Sequence, residues 1–234
     1  MIKAIIFDLD DTLYYELDYV KSGFRAVSNY ISSKYGVSED EFYQALLNIL
    51  ETEGRGKTFD FVLESFYLPK SEVKKMLEIY RSHFPEGIRL YKDAEFILKK
   101  IKKDNKYKTG LITDGNSQVQ WNKIKSLGLK ELVDEIIVTD DFGIDKRKPH
   151  SFSYLKMLDV FRIKTGEAIY IGDNPLKDFI TARKLGMRTI RVLRKKGMHI
   201  NKRMDNTSEA DTKIYSLYAL NNLLKFDDGE DYDA

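Results

Sequence analysis

Asp8 and Asp10 stand two residues apart at the end of a short apolar run, Ala4-Ile5-Ile6-Phe7, with Asp11 and Thr12 following at once. Four apolar residues halted by acids read as a buried strand. Carboxylates spaced i, i+2 beyond its end share one mouth, and in open α/β sheets ligands bind at that end of the strands. Aspartate is also a helix-capping residue, but a single cap does not call for several acids together. Other polar residues end further apolar runs: Thr113 after Gly110-Leu111-Ile112, and Asp173 with Asp178 after Ala168-Ile169-Tyr170-Ile171. Lys148, beside Pro149, precedes a helix expected near Ser151. Parallel strands would bring all of these to one sheet edge. Acids, a lysine and a hydroxyl gathered there then suit a hard divalent cation beside a phosphate, with Mg²⁺ fitting an oxygen-only donor set.

Each of these residues also has a plainer reading. Asp173 and Asn174 fit the cap of a helix with Pro175 in its first position, and Asp178 fits a first-turn acid favoured by the helix dipole. Thr113 fits an ordinary β-branched strand residue. Lys148 lies beside Lys146 and Arg147, and a basic loop is usually just solvated. The functional reading rests on their joint occurrence.

The elements that must position these side chains alternate along the second half of the chain. A helix is expected from about Ser117 to Leu127, stopped by Gly128, then a strand over Glu135–Thr139. A helix follows the 168–171 strand as far as Gly186. Thr189–Leu193 reads as a further strand, and Thr212–Tyr215 as an edge strand. Strands alternating with helices of this length imply βαβ units and a parallel, doubly wound sheet. Residues 14–88 differ, showing helical periodicity and no convincing strand. Tyr19, Phe24, Val27, Tyr30 and Ile31 form one stripe ending at Gly36. Ser38 with Glu41 resembles a capping box. Gly54-Arg55-Gly56 breaks the second helix, and shorter helices are expected over Thr58–Tyr67 and from Ser71 to Tyr80. This region reads as a small helical bundle. The segment from Lys195 to Asp211, basic and then polar, reads as a surface loop with a helical turn. The expected division is an α/β core of residues 1–13 and 89–226, a helical domain of 14–88, and an acidic, disordered tail of 227–234.

Composition excludes several classes. Among 234 residues, 39 basic side chains balance 37 acidic ones, so no dedicated nucleic-acid or membrane surface is expected. The absence of cysteine removes thiol catalysis, disulfides and thiolate metal sites, and three scattered histidines argue against a histidine-rich zinc site. With 42% hydrophobic residues the chain can build a substantial core. No apolar run approaches membrane-spanning length and no signal peptide is evident, so a cytoplasmic location is expected. Nothing in the sequence specifies an oligomeric state.

Asp8-Leu9-Asp10-Asp11-Thr12, Thr113, Lys148-Pro149 and Gly172-Asp173-Asn174-Pro175-Leu176-Lys177-Asp178 resemble the four ordered motifs of the haloacid dehalogenase (HAD) superfamily. The resemblance runs from Lys3 to about Leu193 and implies a Rossmann-like core, with residues 14–88 as a C1-type helical cap. It implies two-step phosphoryl transfer through an aspartyl-phosphate. Asp8 would be the nucleophile, and Asp10 the general acid and then the general base. Mg²⁺ would be held by Asp8, Asp173 and the backbone carbonyl of Asp10, and by Asp178 directly or through water. Thr113 and backbone N–H groups near Asp114 would bind phosphoryl oxygens, and Lys148 would pair with the phosphate and Asp8. The carbon-acting dehalogenases lack an acid two residues after the nucleophile, so Asp10 favours phosphate chemistry. Substrate choice is expected in the cap, with Arg55 or Lys57 in a flexible basic loop reading the rest of a small phosphate ester. The expected activity is a Mg²⁺-dependent phosphatase of a sugar phosphate or similar metabolite. A phosphomutase of the same fold and a non-enzymatic phospho-acceptor domain are the alternatives.

Overall fold

The computed structural model describes residues 1–224. The acidic tail expected at 227–234 lies outside them. The chain divides into two compact units, one formed by Met1–Glu16 with the chain from Arg89 onward, the other by Leu17–Ile88. No described helix is long and apolar enough to cross a membrane.

The first unit is built on six strands: β1 (Ala4–Phe7), β2 (Lys108–Thr113), β3 (Glu135–Val138), β4 (Ala168–Gly172), β5 (Arg188–Val192) and β6 (Thr212–Ile214). Their order is β3-β2-β1-β4-β5-β6 and every neighbouring pair is parallel. β1 and β4 are apolar and buried along their whole length, as strands covered on both faces should be. β1 lies between β2 and β4, with Phe7 opposite Leu111 on one side and Ile171 on the other. The residues following these three strands therefore meet where the strand order reverses, which is the ligand-binding position of a doubly wound sheet.

The helical unit contains α1 (Glu16–Tyr35, whose first residue is counted with the core), α2 (Glu39–Glu53), α3 (Thr58–Ser65) and α4 (Val73–Ser82). Ser38 caps α2, its hydroxyl accepting from the Glu41 N–H at 3.3 Å, and Gly36 and Gly54 take positive φ at the helix ends. Phe24, Val27, Ile31, Phe42, Leu46, Val62 and Met76 form its interior. Tyr30 lies at the margin of the expected stripe, its hydroxyl donating to Glu72 at 2.7 Å.

The core unit continues with α5 (Lys92–Asp104), α6 (Ser117–Ser126), α7 (Phe152–Phe161), α8 (Phe179–Lys184) and α9 (Leu220–Leu223). Tyr154, Met157 and Phe179 bury one face of the sheet against Ile6, Ile112 and Tyr170. Gly110 permits this approach, because a Cβ there would lie 2.7 Å from the Met157 sulfur.

Two expectations are corrected. The helix expected from Pro175 starts only at Phe179, because Asn174 folds the intervening residues into a turn. Its Oδ1 accepts from Leu176 N–H at 3.0 Å and its carbonyl from Asp178 N–H at 3.0 Å. Residues 195–211 are more than a surface loop. The buried Arg191 guanidinium on β5 donates to the carbonyls of His199 (2.5 Å) and Lys202 (3.0 Å) and to Glu209 (2.8 Å), fastening the segment to the sheet. The helix α5, amphipathic with Ile97, Leu98 and Ile101 inward, was not anticipated from the sequence.

Candidate active site

β1 delivers Asp8, whose backbone N–H still bonds to the Ile171 carbonyl of β4 at 2.8 Å. Its carboxylate is buried and meets Lys148 Nζ at 2.5 Å. The same ammonium donates to Asp178 Oδ1 and to the Tyr170 hydroxyl, each at 2.8 Å, so all three of its protons are used. Of the three adjacent basic residues, only Lys148 turns inward. Arg147 forms a two-pronged pair with Asp140, both bonds at 2.6 Å, and Lys146 pairs with Asp145. Asp178 stands at the N-cap position of α8, but its side chain makes no cap hydrogen bond. Its other oxygen accepts from the Asn174 N–H at 3.0 Å, and Gly172 leaves the space it occupies, since a Cβ there would collide with the carboxylate.

Asp8, Asp173 and Asp178 each offer an oxygen within 4.8 Å of the other two, and all three are buried. Burial pushes the Asp8 carboxyl up to about 7, with Lys148 pulling it down and Asp178 adding to the rise. Burial, then the charges of Asp8 and Asp178, push Asp173 well above the usual carboxylate range. Oδ2 of Asp173 is buried without a hydrogen-bond partner. Three buried carboxylates, of which Lys148 bonds only Asp8 and Asp178, suit a small divalent cation with oxygen ligands. The Arg191 Nε–H donates to the Asp173 carbonyl at 3.1 Å and so steadies this loop.

Thr113 ends β2 with its hydroxyl buried and, among the described residues, without a hydrogen-bond partner. The Asp114 side chain braces the surroundings. Its Oδ1 accepts from the Thr139 hydroxyl (2.9 Å) and the Lys148 N–H (3.1 Å), and its Oδ2 pairs with Lys177 at 3.1 Å. Burial opposes its charge, but Lys148 and Lys177 outweigh it and hold the carboxyl below the ordinary range.

Asp10 is fixed from another direction. Its Oδ1 accepts from the Tyr14 hydroxyl at 2.6 Å and from Lys123 Nζ at 2.7 Å, and its Oδ2 from the Gln120 amide at 3.2 Å. Burial works against the charge, but Lys123 more than offsets it and the carboxyl sits below its ordinary range. Asp11, in left-handed backbone, accepts from the Glu16 and Met198 N–H groups at 3.0 and 2.9 Å.

The sheet thus brings together Asp8, Asp10, Thr113, Asp114, Lys148, Asp173 and Asp178. Arg55 and Lys57 belong to the helical unit. Within it, Arg55 borders a cavity of about 270 Å³ floored by Phe24, Phe59 and Leu77, while Lys57 is exposed ahead of α3. Lys123, Gln120, Tyr170 and Lys177 were not singled out from the sequence. Lys177 lay inside a quoted motif, and a lysine three residues from a glutamine on the inward face of α6 was the available hint.

A parallel α/β sheet that gathers acids, a lysine and a hydroxyl at its switch point is an arrangement suited to phosphate chemistry. The family model for haloacid dehalogenase-like hydrolases matches residues 5–192. The glyceraldehyde 3-phosphate phosphatase of Methanocaldococcus jannaschii is 33% identical, covering 96% of this chain and 98% of that protein. The protein of the same name from Pyrococcus furiosus is 31% identical over 98% and 96%. A crystal structure of a HAD phosphatase from Thermococcus onnurineus superposes with a TM-score of 0.62 at 27% identity, covering 95% of this chain and 97% of the other. The chain belongs to the haloacid dehalogenase-like hydrolases and to their phosphatases.

Proposed function

We propose that the protein hydrolyses a small phosphomonoester with Mg²⁺ through a phosphorylated Asp8, and that a triose phosphate such as glyceraldehyde 3-phosphate is the first substrate to test. The observation that carries the reading is the buried Asp8 carboxylate, in contact with Lys148 and beside Asp173 and Asp178, at the central strand's end. The triose phosphate comes from the names of the two archaeal relatives.

In this reading an Asp8 oxygen attacks phosphorus, the P–O bond to the leaving group breaks, and a proton passes from Asp10 to the departing oxygen. Water then gives a proton to Asp10 while its oxygen takes the phosphorus, and the bond to Asp8 breaks. Lys148 offsets charge on Asp8 and the phosphoryl group, and the Thr113 hydroxyl donates to a phosphoryl oxygen. Asp8, Asp173, Asp178 and the Asp10 carbonyl would hold Mg²⁺, which supplies charge neutralisation and orientation of the phosphoryl oxygens. The helical unit acts as the cap, with Arg55 or Lys57 reading the rest of the ester.

The test is a phosphate-release screen over metabolite phosphates, including glyceraldehyde 3-phosphate, with Mg²⁺ and with the Asp8→Asn protein alongside. Release of inorganic phosphate, absent in that variant, supports the reading. Formation of an isomeric phosphate in place of free phosphate would identify a mutase and overturn it.

A further inference from the structure

Lys123 projects from α6 into the core unit with its side chain only 3% exposed, although lysine is among the residues least often buried. Its ammonium reaches Asp10 Oδ1, 113 residues earlier in the chain. Gln120 lies one turn earlier on the same buried face. Its amide donates both to Asp10 Oδ2 at 3.2 Å and to the Asp114 carbonyl at 2.8 Å, spanning the residues after β1 and β2. Gly115, at φ +130°, makes room for it, since a Cβ there would sit 2.6 Å from the glutamine nitrogen.

This arrangement treats the two oxygens of Asp10 differently. Among the described residues, Oδ1 takes two donors, the Lys123 ammonium and the Tyr14 hydroxyl, whereas Oδ2 takes the Gln120 amide alone. A carboxylate oxygen has two lone-pair positions. Oδ1 is therefore saturated, and Oδ2 keeps one lone-pair position open. We propose that Lys123, supported by Gln120, is a positioning residue that reserves Oδ2 of Asp10 for proton transfer to the leaving group. This extends the reading in which Asp10 is the general acid. A plain structural ion pair would account for the burial of Lys123 but would not make catalysis depend on the leaving group.

The experiment uses that dependence. For a phosphatase with a covalent intermediate, kcat/KM reports the steps up to departure of the leaving group, so it isolates the first proton transfer. An alkyl phosphate needs that proton, and p-nitrophenyl phosphate hardly does. Lys123→Met is expected to lower kcat/KM for the alkyl ester by about tenfold to a hundredfold, within the range of general acid catalysis. For the aryl ester kcat/KM should fall by no more than about threefold, while kcat declines because water attack still needs Asp10. Lys123→Arg should restore part of the alkyl activity. Equal losses for both esters, or no loss in either, would overturn the proposal. Should Lys123→Met fail to fold, Tyr14→Phe, which removes the other donor to Oδ1, must show the same asymmetry in weaker form, and its absence would be equally decisive. Asp10→Asn, measured in parallel, separates the two claims. If that variant shows no alkyl–aryl difference, the general-acid reading of Asp10 fails. If it does and Lys123→Met does not, only the role of Lys123 fails.

Discussion

The two units use charge in opposite ways. In the core, Lys148, Lys123, Arg191 and Arg194 are buried and pair with Asp8 and Asp178, Asp10, Glu209 and Asp93. In the helical unit the basic partner is exposed, as in Arg25 with Asp40 at 2.5 Å, Lys75 with Glu78 at 3.0 Å or Lys34 with the buried Glu72 at 2.9 Å, and the interior is apolar and aromatic. Burying an ion pair costs desolvation that only good geometry and further hydrogen bonds offset. Two of these lysines, Lys148 and Lys123, fix the acids that follow β1, whereas packing alone needs only the apolar stripe seen in α1 to α4.

Substitutions sharpen this contrast, and the largest effect is expected at the core carboxylates. Asp8→Asn keeps the shape but removes the attacking charge. Turnover should drop by roughly 10⁴-fold or more with unchanged circular dichroism, as nucleophile removal does elsewhere. Chelation by EDTA should stop phosphate release and added Mg²⁺ should restore it. Asp173→Asn should raise the Mg²⁺ concentration needed for half-maximal activity, measured by titration. Arg191→Leu leaves Glu209 and the carbonyls of Asp173, His199 and Lys202 without their shared donor. Denaturant unfolding should show a loss of about 3–5 kcal/mol.

The helical unit should respond more mildly. Glu72 there accepts from Lys34, Tyr30 and Tyr35, and these bonds, Lys34 first, hold its carboxyl down at about 2. A depressed carboxyl contributes stability that is present above its unfolded value and lost as pH falls through the folded one. The native protein should therefore lose this contribution between about pH 4.5 and 2. Glu72→Gln should flatten that part of the stability–pH curve with kcat at neutral pH little changed. Arg25→Ala, at an exposed pair, should cost under about 1 kcal/mol. A large effect there, or a small one at Arg191, would break the contrast.

Much of this arrangement was legible in the residues. The run Ala4–Phe7 ending in acids, the Thr113 and Asp173 strand ends and the glycine stops of α1, α2 and α6 all depend on local patterns, and local patterns are what a sequence displays. Lys148 stood among three basic neighbours, and only the structure shows which one turns inward. Lys123 and Gln120 escaped because α6 also carries Asn122 and Lys125 and reads as a polar helix; their partner lies more than a hundred residues away. The fastening of residues 195–211 by Arg191 escaped for a different reason: a single arginine within a strand gives no sign of the four oxygens it serves. The turn at Asn174 replaced a helix start because its side chain bonds the backbone two residues on, a competition between an Asx turn and a helix cap that spacing does not decide.

The central claim is that Asp8 becomes phosphorylated. Its most direct test is an acid quench during turnover of a ³²P-labelled ester, followed by peptide mapping. The account predicts hydroxylamine-labile label on the peptide containing Asp8, absent from the Asp8→Asn protein. Label on another residue, or steady phosphate release with no labelled protein at any quench time, would contradict it.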